Sequence, residues 1–99
     1  MARFIVIDRS TGQVYGDTAQ FGLAGDVLSA ADAVCLLDRH TGRARRGFGY
    51  VGRHSESASY DVYEISPFSQ GDATEKEAHM HALIREHGTF VAALIVYNS

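Results

Sequence analysis

Ser29-Ala30-Ala31-Asp32-Ala33-Val34-Cys35-Leu36-Leu37 is the stretch whose reading decides the fold. Read as a helix, it divides the chain into β-β-α-β-β-α-β. Read as a strand, it joins the sheet and changes every later pairing. Local chemistry favours the helix. Ser29 can cap, Asp32 sits three residues on, and Leu28 can staple against Ala33. Three alanines add helix propensity. Val27, Ala30, Ala31, Val34 and Leu37 fall on one helical face. Gly42 is placed to end the helix, and Arg39 and His40 suit its negative C-terminal end. Cys35 falls on the flank of the apolar face and reads as packing, while Leu36 points away from it.

Upstream, Arg3 to Asp8 (RFIVID) is β-rich and apolar on both faces, as an interior strand requires. Ser10-Thr11-Gly12 is a turn, and Gln13 to Asp17 returns as the second arm of a hairpin. Downstream, Phe48 to Arg53 and Tyr60 to Ile65 read as a second hairpin with a loose polar tip. Asp72 and Glu75 form another capping box, Ala73, Met80, Leu83 and Ile84 a buried stripe, and Gly88 a stop. Phe90 to Tyr97 (FVAALIVY) is apolar without alternation, which predicts a central strand covered on both faces. The expected fold is therefore α+β: a mainly antiparallel sheet of about five strands with two helices packed on one face. A second copy or a partner protein would then cover the other face.

Ninety-nine residues imply a single domain spanning residues 1–99, with a modest core. Cys35 is the only cysteine, so no internal disulfide can form. The apolar run near the start is too short for a signal peptide or a membrane helix, and the chain reads as cytoplasmic with no membrane partner.

Charge is unevenly placed. Five arginines and no acidic residue between Arg39 and His54 give +5, which leaves −8 for the rest of a chain whose net charge is −3. Within that stretch Arg39, Arg43, Arg45, Arg46 and Arg53 surround the glycine-spaced aromatics Phe48 and Tyr50. Arginine beside aromatics suits an anionic or planar partner. The plain alternative is that these arginines pair with the protein's own carboxylates.

Arg46-Gly47-Phe48-Gly49-Tyr50-Val51 matches the first six positions of the ribonucleoprotein core motif, and so resembles RNA-recognition domains. Asp38 to Arg43 also resembles the turn that often precedes that strand in the family. The resemblance covers Asp38 to Val51. It implies a β-α-β-β-α-β order, a strand where residues 30–37 lie, base stacking on Phe48 and Tyr50, and phosphates held by the arginines.

Other chemistry finds little support in the sequence. His79 and His81, two apart on a helix, point about 160° from each other and cannot grip one ion. Glu75 with His79, and Glu77 with His81, supply two ligands each where zinc wants three or four. No nucleophile elbow or phosphate-binding loop is present, so a small enzyme would have to assemble its site across the fold. The expectation is a non-enzymatic binding protein without metal or cofactor. Its binding face would be Arg39, Arg43, Arg45, Arg46, Phe48, Tyr50 and Arg53. A protein partner is favoured, nucleic acid is the rival, and homodimerisation through the sheet or through Leu36 is a further option. In size and plainness alone the chain resembles inhibitors carried by phages and mobile elements, anti-CRISPR proteins among them.

Overall fold

The computed structural model describes residues 3–18, 29–42, 47–66 and 77–97. They form β1 (Arg3–Asp8), β2 (Val14–Asp17), α1 (Ala30–Thr41), β3 (Gly47–Val51), β4 (Tyr60–Ile65), α2 (Glu77–His87) and β5 (Gly88–Tyr97). The strands make one antiparallel sheet in the order β2-β1-β4-β5-β3. The proposed staple at Leu28 and the capping box at Asp72 and Glu75 lie outside the described residues. No helix among those residues is long and apolar enough to cross a membrane.

The deciding stretch is helical. Ser29 has extended backbone, and its Oγ accepts the Asp32 N–H at 3.2 Å. That satisfies one of the orphan donors of the first turn. At the other end Gly42 takes a left-handed φ of 77° and donates to the carbonyls of Asp38 and Arg39. The same left-handed step closes the β1–β2 turn, where Gly12 has a φ of 74°. The sequence echo Asp-Arg-x-Thr-Gly thus serves a hairpin once and a helix end once.

The buried stripe of α1 is Ala30, Ala33, Val34 and Leu37. At about 100° per residue its centre falls toward Ala33 rather than Ala31. Two expectations are corrected by that rotation. Cys35 turns out to solvent instead of packing, and Leu36 is partly buried against the core instead of pointing away.

The helices cover opposite faces of the sheet, not one. Phe4 and Val6 of β1 pack with α1, together with Tyr60, Val62 and Leu94. Ile5 and Ile65 pack with Met80 of α2, with Ile7, Leu83 and Ile84 around them. The reason lies in β1, whose alternating side chains are apolar on both sides and need a cover on each. Under β1 and β4, α2 therefore supplies the cover assigned above to a second copy.

The second hairpin is also corrected. β3 pairs with β5, and β5 lies between β3 and β4. The ten-residue β5 is long enough to serve both: Gly88 to Leu94 faces β4, and Ala93 to Tyr97 faces β3. Gly52 to Ser59 therefore crosses the end of β5 instead of turning back on itself. Ser59 N–H donates to the Leu94 carbonyl at 2.7 Å along that path.

One feature of the core has no counterpart in the sequence reading. Arg3 and Asp17, diagonal across β1 and β2 because Asp17 is paired with Ile5, form a fully buried ion pair. Arg3 Nε and Nη2 donate to the two carboxylate oxygens at 3.1 and 2.6 Å. Next to them Thr18 Oγ1 accepts the Phe4 N–H at 3.0 Å.

Candidate functional site

β3 carries the glycine–aromatic alternation, and its register gives each residue a side. Tyr50 pairs with Leu94, on the side that α1 covers, and Phe48 is in register with Val96. Gly49 pairs with Ile95 and Val51 with Ala93, on the opposite side. Tyr50 is 64% exposed, the most open of the large apolar side chains among the described residues. The side chain of Phe48, and all of Arg43, Arg45 and Arg46, lie outside the described residues.

Arg39 is exposed in the last turn of α1, beside the negative end of the helix. Arg53 is exposed just beyond β3, with its guanidinium 4.6 Å from the centre of the Phe90 ring. Phe90 stands edge-on to Tyr63 at 5.7 Å, and Tyr63 pairs with Ile5 on the α2 side. Arg53 and Tyr50 therefore serve opposite sides of the sheet. Of the seven expected residues, the described Tyr50 and Arg53 lie on either side of the sheet next to its β3 edge.

Arg9 organises that edge, and no local pattern in the sequence marks it. Its Nε donates to Asp61 Oδ2 at 2.9 Å and its Nη1 to the Ser55 carbonyl at 2.5 Å. Its Nη2 donates to the carbonyl of Arg53. These contacts are 44 to 52 residues apart in sequence, so only the fold could bring them together. They pin the turn that presents Arg53. Among the described residues, the arginine–carboxylate pairs are Arg3–Asp17 and Arg9–Asp61, neither of which uses Arg39 or Arg53.

Two clefts open near the β1–β2 turn. The larger, about 580 Å³, is lined by Asp8, Ser10, Glu56, Ser59, Tyr60 and Val96. The smaller, about 370 Å³, lies on the other side of Asp8, against Tyr15 and Thr41. Asp8 is committed to its own turn, its Oδ1 accepting from the Ser10 amide at 2.9 Å and the Ser10 hydroxyl at 2.7 Å. Tyr15 stacks on Tyr60 with ring centres 4.8 Å apart and donates its hydroxyl hydrogen to Asp38. These groups hold the end of the sheet to α1. His81 sits 3.7 Å from Glu77 on the exposed flank of α2, and no trio of potential metal ligands stands together among the described residues.

The order implied by the RNA-recognition resemblance differs from the one found. Residues 30–37 are helix where that family requires a strand, and a second strand precedes the first helix. No family model, no curated protein and no solved structure matches the chain.

Proposed function

We propose that this chain is a non-enzymatic binding protein that docks a protein partner through the edge formed by β3, with Tyr50 as its anchor and Arg39 to Arg53 as its charged surround. The observation that carries the reading is Tyr50 itself, a large aromatic left 64% exposed on an edge strand. Tyrosine and arginine are enriched among the residues that dominate protein interfaces, tyrosine because it offers area and a hydrogen bond at small entropic cost and arginine because its guanidinium offers several donors. Arg53, already fixed over Phe90, would meet a partner carboxylate with little ordering left to do. Its place on the side away from Tyr50 favours a partner that grips the edge over a nucleic acid laid along one platform. The narrower form of the reading is a cytoplasmic inhibitor carried by a phage or mobile element, of the anti-CRISPR kind. That form rests on size and composition alone.

The test pairs Tyr50→Ala with two assays. Because Tyr50 is exposed, its loss should leave stability within about 0.5 kcal/mol. Inhibition of a CRISPR surveillance complex by the wild-type chain, lost in Tyr50→Ala, supports docking in its narrower form. Binding of single-stranded RNA or DNA pools that weakens steeply with salt, and is lost in Arg39→Ala/Arg53→Ala, would put nucleic acid in the partner's place.

A further inference from the structure

We infer that β3 takes an extended, acidic segment of another protein as a sixth strand of the sheet. This rests on the docking reading above and names the chemistry of the partner.

The two edges of the sheet differ in how they are protected. β2 is four residues long and is interrupted at Tyr15, where its register with β1 shifts. Its Val14 N–H is occupied by Glu77 Oε1 at 2.7 Å. Short length, a bulge and a capped amide are the usual ways of closing an edge to further strands. Among the described residues β3 carries none of these devices, and its register with β5 is unbroken from Gly47 to Val51.

The two sides of β3 say what an added strand would need. On the α1 side it would run past the ring of Tyr50. On the other side Gly47 and Gly49 offer no side chains, and a Cβ built at Gly47 would meet nothing within 4 Å. Ile95 and Val51 border this glycine notch, which fits a bulky apolar side chain on the incoming strand. Directly opposed residues sit close enough for that side chain to pack across the glycine.

Charge selects the rest. Arg46 immediately precedes β3, Arg53 follows it, and no acidic residue lies between Arg39 and His54. The net positive charge of this stretch favours an acidic segment. A second copy of β3 laid antiparallel would instead bring the arginine-flanked start of one strand to the arginine-flanked end of the other, like charge to like. A phosphate backbone lacks the amide ladder that an edge strand offers.

The experiment follows the backbone amide signals of the full chain as a capped peptide, Glu-Thr-Val-Phe-Val-Thr-Glu, is added. Strand addition predicts shifts centred on Gly47 to Val51. It predicts that one of two N-methylated peptides, each blocking alternate amides, fails to bind while the other still binds, because only every second amide faces the ladder. Replacing both glutamates with lysine should weaken binding about tenfold. Equal binding of both N-methylated peptides, equal binding of the lysine peptide, shifts away from β3, or no binding at all would each overturn the inference. A stable dimer whose contact signals map to β3 would overturn it in favour of a second copy. Loss of function in Tyr50→Ala without peptide binding would leave docking intact and remove only strand addition.

Discussion

Asp17→Asn tests the energetic reading of the core most directly. Asp17 and Arg3 are each exposed by 1% or less, and two hydrogen bonds join them. Asparagine keeps the shape of the side chain and removes its charge. The guanidinium of Arg3 is then left buried without a counterion, a change that costs about 3–5 kcal/mol. A domain of this size has only about 5–15 kcal/mol of total stability. At about 4–8 °C per kcal/mol, the melting temperature should fall by roughly 12–40 °C. Urea unfolding followed by circular dichroism gives the change in free energy, and an unchanged m-value confirms that the unfolded state is comparable. The pair is isolated by a double-mutant cycle with Arg3→Met. If the two charges depend on each other, the double variant should be more stable than the sum of the single losses by about 2 kcal/mol. A loss below about 1 kcal/mol in Asp17→Asn, or strict additivity in the cycle, would refute the reasoning.

The remaining expectations concern α1 and the Arg9 clamp. Ser29→Ala removes the acceptor of the Asp32 amide and should cost about 1 kcal/mol in a thermal melt. Leu37→Ala empties a fully buried position against Phe4 and Val62, and should cost about 2–5 kcal/mol by urea unfolding. Cys35 is exposed, so it should react with a thiol reagent in the folded protein, while Cys35→Ser changes stability by less than about 0.5 kcal/mol. Arg9→Met should cost about 1–3 kcal/mol and shift the amide signals of Arg53, Ser55 and Asp61 together.

What could be read from the sequence was local. The cap at Ser29, the stop at Gly42 and the interior place of β5 each depend on neighbours within a turn or a strand, and each stands in the structure as expected, although Val91 is 45% exposed where cover on both faces was expected. Sidedness could not be read in the same way. β1 is apolar on both faces, and nothing in its own residues says which helix lies on which side. Strand partners were hidden for a similar reason: β3 and β4 are neighbours in sequence, but the length of β5 lets it pair with both. The arginine–aromatic stretch was visible as composition. The placement of Tyr50 and Arg53 on opposite sides of the sheet was not, because it depends on Phe90, which lies far along the chain. Arg9 and Arg3 were missed because a buried or clamping arginine looks like any other in a strand-and-turn pattern.

The insertion of β5 between β4 and β3 sets an order of events during synthesis. β1, β2 and β4 can pair as soon as Ile65 has been made, since the β1–β2 and β1–β4 ladders do not wait for β5. β3 has been made by then, but its strand partner among the described residues has not: Gly49 waits for Ile95. A contact of such long sequence separation forms late, because the entropy of closing the loop must be met first. A nascent chain therefore carries the residues of the edge well before it carries the edge. Whatever recognises a sheet edge at β3 would pass over chains that lack β5 and find only those that have laid it down.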